Sequence, residues 1–449
     1  MEDGTIQDGK QKRPKSNNEE DVINQLPEGI PINILSKLSI HEAVRTSILS
    51  RKWKNLWPYF SGTLEFSGSP IMKDMKKDMK KITGRSLQMA MEIMYDAERQ
   101  TYTNWIDELL ASLKCSSLQG LKLWFPMKNV SDIDNWIQFA VRKKVRKLEL
   151  YFGRAIDYVL PLQVFKVKRF DSLCVLRMKS VTVTEETLEY LLSDCPLLET
   201  LSLIDSEVPK TMKVSGSGSG SSLKLKCLEL VRCLELTKVE IFAEKLVSFK
   251  YYGSNLETEF KSVSSLMEAS FGGSFVEFVR ESFMLQIKVL KLDITQNSPD
   301  VIYWLSQLPL LNNLKDLELV ACGDDSIILG ACVILLKTSP SLCRFTIKML
   351  NTEPTFRTEH KFPKECQYSI KELELVGFCG AACQVELVMQ ILENAVELMK
   401  ITIDTRLPTK PKVRLLGEEQ FKTWNCEENR KHALRLKDKI PPSIEFVCL

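Results

Sequence analysis

Histidine is scarce: His41, His360 and His432 are the three in a chain of 449 residues. Three imidazoles so far apart leave little from which to build a nucleophile–base pair or a histidine-rich metal site. Long apolar runs are also missing. The longest nearly uninterrupted one, Ser326–Leu336, falls well short of the ~20 residues that a membrane-spanning helix needs. Charge of one sign is lacking too, with 61 basic against 58 acidic side chains and a net +3. No basic excess therefore points to nucleic acid or an anionic membrane. The first 25 residues hold no apolar stretch, so no secretory signal is expected, and the protein is expected to be soluble and intracellular, in nucleus and/or cytoplasm. No G-x-S-x-G, H-E-x-x-H or P-loop pattern occurs; the chain is expected not to be an enzyme and to use no cofactor.

Cysteine, by contrast, is present thirteen times, an odd number scattered over the whole length. Such thiols are expected to be reduced and mostly buried as small hydrophobes. Cys379 and Cys383 lie four apart, yet no second pair has finger-like spacing, so no structural zinc is expected. With 44% apolar and 27% charged residues, the chain can bury a large core, about three domains' worth by length.

What fills the chain is a repeat. The pattern apolar-x-x-apolar-x-apolar centres on Leu121, Leu148, Leu176, Leu201, Leu228, Phe249, Leu290, Leu317, Phe345, Leu373 and Ile401. Eight of the ten intervals are 25 to 28 residues; the others are 21 and 41. The residue before the last apolar position is polar every time, as in Lys122, Glu149, Arg177, Ser202 and Glu229. That alternation predicts a short strand with one buried face. Helical spacing follows at 132–141, 185–192, 301–308, 327–336 and 385–392. One strand and one return per unit predicts a leucine-rich-repeat solenoid, whose units bury their apolar faces only by stacking.

Three local features accompany the repeats. Cys233 and Cys322 fall three residues after the last strand leucine and are expected to bond the turn backbone. The interval of 41 is read as an insertion within about 254–282, and SGSGSGSS at 215–222 as a flexible loop in place of a helix. That run is not a phosphate loop, because a strand follows it at Leu225 and no GK[ST] is present.

Before the repeats, residues 1–20 have the mixed-charge composition of a disordered arm, with a basic run at 9–15 that suits a nuclear import signal. The next forty residues predict three short helices. Leu26, Ile30, Ile34 and Leu38 form one stripe, widened by Leu35. Ser39 and Glu42 make a capping box with Leu38 and Ala43 as its staple, and Ser50 caps a helix holding Trp53, Leu56 and Trp57. So small a module rarely sustains its own core. It either caps the solenoid or meets another protein, and physics alone leaves both open.

The run LPEGIPINILSKLSIHEAVRTSILSRKWKNLW closely resembles a plant-type F-box. In that family the motif binds the Skp-type adaptor of a cullin-based ubiquitin ligase. The resemblance implies adaptor-binding roles for Leu26, Pro27, Ile30, Ile34, Leu35, Leu38, Val44, Leu49, Ser50, Trp53 and Leu56. Pro31 stands where the family usually has an aliphatic residue; if it lies past the first turn, the first helix is expected to begin late or bend. Ser39 replaces a frequent proline. The segments 360–380, 386–408 and 428–449 resemble the FBD region of plant F-box proteins, most specifically in ILENAVELMKITID. They predict the last two repeats, a helix near 427–437 and a final strand at 444–449.

The expected fold is α/β: a short three-helix F-box, then a curved leucine-rich-repeat solenoid of about eleven strand-helix repeats with an FBD-type terminal cap. The expected boundaries are 1–20 for the arm, 21–60 for the F-box and 61–115 for a helical connector. The solenoid is expected at 116–360 and the FBD region at 361–449. The resemblance implies a substrate-recognition subunit of a Skp-cullin-F-box ligase, with an unidentified target protein on the solenoid and neither nucleic acid nor membrane as partner. The alternative is a leucine-rich-repeat binding scaffold that engages no ligase. A helix-turn-helix reading would make Arg51–Trp57 the recognition helix, but burying its two tryptophans leaves little to read base edges.

Overall fold

A computed structural model describes residues 26–449 except 28, 80, 82–83, 154–156, 167–168, 217–222, 234, 274–281, 296–300, 323–324, 351–367 and 408–425. The amino-terminal arm, its basic run and nearly all of the glycine-serine run lie outside the described residues.

Three short helices open the described chain: α1 (Gly29–Lys37), α2 (Ile40–Arg45) and α3 (Arg51–Leu56). The strand β1 (Thr63–Phe66) follows at once, then α4 (Pro70–Met79) and the long α5 (Arg85–Ser112). Strands and helical returns then alternate: β2 (Gly120–Leu123), α6 (Val130–Arg142), β3 (Lys147–Tyr151), the single turn α7 (Gln163–Lys166), β4 (Val175–Lys179), α8 (Glu185–Ser193) and β5 (Thr200–Ile204). The middle of the chain is strand after strand: β6 (Thr211–Ser215), β7 (Cys227–Val231), β8 (Lys238–Phe242), β9 (Ser248–Gly253), β10 (Glu257–Lys261) and β11 (Glu268–Gly273).

Helices resume between β12 (Val289–Asp293), α9 (Val301–Ser306), β13 (Asp316–Cys322), α10 (Asp325–Thr338) and β14 (Arg344–Leu350). The chain closes with β15 (Glu372–Val376), α11 (Ala382–Asn394), β16 (Lys400–Asp404), α12 (Cys426–Lys437) and β17 (Glu445–Cys448).

Fourteen of these strands form one open, all-parallel sheet in the order β1-β2-β3-β4-β5-β7-β9-β11-β12-β13-β14-β15-β16-β17. The motif centres stand side by side, Leu121 on Leu148, Leu148 on Leu176 and so on to Leu373 on Ile401. Each is buried, and the apolar residues flanking it make one core that runs from Leu35 in α1 to Ile440. Neighbouring units thus supply each other's missing face, as stacking repeats require.

Two expectations need correction. The sheet holds two strands beyond the eleven repeats and the expected final strand, which is β17, because β1 and β11 also join it. The supposed insertion at 254–282 contains a repeat: Ala269 pairs with Phe249 on one side and Leu290 on the other. Its pattern, Leu266-x-x-Ala269-x-Phe271, keeps the outer apolar positions but puts a buried alanine at the centre. The interval of 41 is therefore two short repeats of 20 and 21 residues. Such repeats have no length for a helix. A strand rises about 3.3 Å per residue against 1.5 Å in a helix, so five extended residues cover the return. Two such returns, β8 and β10, pair with β6, the return of the 27-residue unit between β5 and β7, as a second small parallel sheet.

Candidate functional site

Two surfaces are candidates for the site: the solvent side of the three-helix module and the solvent face of the sheet. In the module, the backbone N–H of Ile30 donates to the Pro27 carbonyl at 2.9 Å, and the Lys52 ammonium donates to the Leu26 carbonyl at 2.8 Å. The Leu-Pro opening is thereby tied to α3. Pro31 is buried as the third residue of α1, inside the first turn, where its missing N–H would have had no helical partner. The condition for a late start or bend is therefore not met, and α1 runs from Gly29 to Lys37.

The capping box at α2 is complete. The Glu42 N–H donates to the Ser39 hydroxyl at 3.3 Å, and the Glu42 carboxylate accepts from the Ser39 N–H at 2.9 Å and its hydroxyl at 2.7 Å. These bonds, the hydroxyl first, hold the Glu42 carboxyl below its ordinary pKa. Ser50 caps α3 by accepting from the Trp53 N–H at 3.3 Å.

Burial sorts the eleven residues that sequence marked for adaptor binding. Leu35, Trp53 and Leu56 are buried; they hold the helices in place and cannot touch a docked protein. Leu26, Leu38, Val44 and Ser50 are half-buried, and Pro27 is exposed. Ile30 and Ile34, one helical turn apart, are 46% and 41% exposed, and Leu49 is 62% exposed. Sequence reasoning missed Ile48, the most exposed large hydrophobe of the module at 88%. It lies in the 3-10 turn Thr46–Ile48, where no helical period flags it. Two consecutive large aliphatics, Ile48 and Leu49, between two capped helices were the available signal.

The other side of the module is sealed onto the solenoid. His41 stacks on Trp105 of α5 with centroids 5.0 Å apart, and Phe66 of β1 meets the same indole edge-on. The Ser36 and Ser61 hydroxyls share a hydrogen bond of 2.7 Å, and the Lys114 N–H donates to the Pro58 carbonyl at 2.7 Å. A Cβ on Gly62 would lie 2.3 Å from the Ser36 carbonyl oxygen, so only glycine lets the two approach. Partial burial, with Arg45 and Lys73 nearby, lowers the pKa of His41.

On the solvent face of the sheet the polar row pairs with itself. Lys122 meets Glu65 at 3.0 Å, Lys250 meets Glu229 at 2.7 Å, and Glu318 takes Lys348 at 2.6 Å and Lys291 at 3.2 Å. Tyr252 lies across Gly272, where a Cβ would fall 2.3 Å from its ring. Beneath this face the thiols are inert: burial pushes Cys195, Cys233 and Cys332 up to about 12. Cys233 donates to the Leu203 carbonyl of β5 at 3.6 Å, and Cys322 is the last residue of β13. Among the described residues no group of three metal-ligating side chains occurs, and no helix is long and apolar enough to cross a membrane.

Residues 23–61 match the family model of the F-box domain, and residues 163–439 match the model described as At1g61320/AtMIF1, LRR domain. The FBD-associated F-box protein At1g66310 of Arabidopsis thaliana is 27% identical over 450 residues, covering 89% of this chain and 93% of its own. The F-box/FBD/LRR-repeat protein At3g52680 of the same plant is 25% identical over 68% of each chain. A third Arabidopsis thaliana relative, F-box/FBD/LRR-repeat protein At5g22660, is 30% identical over 46% of this chain and 45% of its own. With the solenoid model matching more than half of its length, the chain belongs to the plant F-box/FBD/leucine-rich-repeat family, whose members serve as substrate adaptors rather than enzymes.

Proposed function

We propose that the protein is the substrate-recognition subunit of a Skp-cullin-F-box ubiquitin ligase. Pro27, Ile30, Ile34, Ile48 and Leu49 would contact the Skp-type adaptor. Leu26, Leu38, Val44 and Ser50 would border that surface, with Leu35, Trp53 and Leu56 supporting it from beneath. The target protein would lie on the solvent face of the sheet. The division into an arm to 20, F-box to 60, connector to 115, solenoid to 360 and FBD region to the end serves this reading, with the connector lending β1 to the sheet. The chain itself would supply no chemistry. It would raise the effective concentration of a target lysine at the charged conjugating enzyme. Nucleic acid is not a partner in this reading, since the polar row of the sheet is of mixed sign.

One observation carries the proposal: contacts through Ser36, His41 and Pro58 already tie the module to the solenoid, while it keeps Ile30, Ile34, Ile48 and Leu49 in solvent. A cap alone has no use for them, and exposed apolar patches mark interaction sites. The test is capture of a purified Skp-type adaptor by the full-length chain, compared with the double variant Leu26→Ala, Pro27→Ala and with Ile48→Glu. Capture by the wild type and its loss in folded variants is the expected result. A folded wild type that captures no adaptor would leave the free-standing binding scaffold as the better account.

A further inference from the structure

A cleft outside the F-box lies at the amino-terminal end of the sheet's solvent face, between α4 and the exits of β2, β3 and β4. It encloses about 500 Å³, a size typical of sites that enclose a ligand group. Trp124 and Tyr151 line it, with ring centroids 6.4 Å apart and planes tilted by 59°. Trp124 is 59% exposed, although its backbone is pinned by the bond from its N–H to the Phe66 carbonyl at 2.7 Å. One ring face carries the Lys122 ammonium at 5.4 Å. A rigidly held tryptophan in solvent is the commonest anchor of a binding hot spot.

The charges around the cleft are unbalanced. Its acids are already engaged: Glu65 with Lys122 at 3.0 Å, Glu149 with the Tyr151 hydroxyl at 3.1 Å and Arg177 at 3.6 Å, and Asp205 with Lys179 at 3.5 Å. Lys73 and Lys76, three apart on α4 and both exposed, line the opposite wall. Lys73 donates to the Ser67 hydroxyl at 3.0 Å, and among the described residues neither lysine has a carboxylate within ion-pair distance. Their neighbour Lys77, by contrast, is paired with Asp74 at 3.1 Å.

We infer that this cleft receives an acidic segment of the target protein that carries an aromatic side chain. The aromatic ring packs against Trp124 and Tyr151, and the flanking carboxylates meet Lys73 and Lys76. The inference rests on the target-recognition reading above and gives that reading a partner chemistry. Lys73 is close enough to act on His41 in α2, so the segment would be held at the end of the solenoid that adjoins the F-box.

The experiment is selection of random peptides displayed on phage by the immobilised full-length chain. It is run in parallel with Trp124→Ala and with the double variant Lys73→Glu, Lys76→Glu. All three side chains are exposed, so both variants are expected to fold and to keep the wild type's adaptor capture, which serves as the control. The wild type is expected to enrich peptides with Phe, Tyr or Trp beside Asp or Glu, and each variant to bind them about tenfold more weakly. Four results would overturn the inference: no enrichment, enrichment of basic peptides, enrichment of acidic peptides regardless of an aromatic, or binding unchanged in the variants. If any of these appears with adaptor capture intact, the ligase reading stands and the assignment of this cleft falls.

Discussion

Ile48 and Leu35 lie thirteen positions apart in one small module, yet substitution at each should fail in a different way. Leu35 is sealed between the helices and the sheet; Leu35→Ala leaves a cavity and should cost about 2–5 kcal/mol, read as a lower urea midpoint. Ile48→Glu places a charge where the side chain already meets water, so the urea midpoint should stay within error while adaptor capture is lost. Ser39→Ala removes the capping-box acceptor of α2 and should cost ~1 kcal/mol, measurable by calorimetry. Residues of the first kind were legible in sequence because burial writes itself as helical period. Ile48 was not, because a surface residue in a 3-10 turn has no period to obey. The effect of Pro31 was left open for a related reason: the cost of proline depends on its place in the turn, and sequence alone left the start of α1 undetermined.

The returns between strands show what sequence patterns can and cannot reveal. The strands with leucine, isoleucine or phenylalanine at their centre stood out, as did helices with a full apolar stripe such as α6 and α8. β11 was hidden because Ala269 is small enough to break the pattern while still filling its layer. β1 was hidden because Ser61 occupies the place three residues before Leu64 that is apolar in the other units. Ala269→Leu would complete the motif on paper. The site is already packed, so the larger side chain should destabilise by roughly 1–3 kcal/mol, read as a lower midpoint in urea.

The ladder of ion pairs on the sheet carries its own pH signature. Burial alone would raise the Glu318 carboxyl, but the Lys348 and Lys291 ammonium groups outweigh it and hold the group below its ordinary 4.5. A carboxylate depressed in the folded state stabilises fully above its unfolded pKa, and that contribution is lost as pH falls through the folded value. The urea midpoint should therefore drop below pH ~4.5, and Lys348→Gln should flatten that part of the profile.

At the scale of the whole molecule, the module and the solenoid share one core, with Trp105 receiving His41 on one side and Phe66 on another. Deleting residues 1–61 would uncover that indole and the outer edge of β1. The truncated chain should show a lower apparent Tm and stronger light scattering than the full-length protein. A module that merely hung from a tether would leave both unchanged. Since the three helices cannot swing, an adaptor docked on them would fix the direction in which the solvent face of the sheet points.

The three consecutive strand returns have a geometric outcome as well. A repeat array bends when one side is spaced more widely than the other: helices stack 8–10 Å apart, strands about 4.8 Å. Where β6, β8 and β10 replace helices, both sides advance by the same strand spacing, and the cause of bending disappears. The span backed by β6, β8 and β10 is therefore expected to be straighter than the helix-backed repeats on either side. A protein lying along it would meet that flatter stretch beside Tyr252.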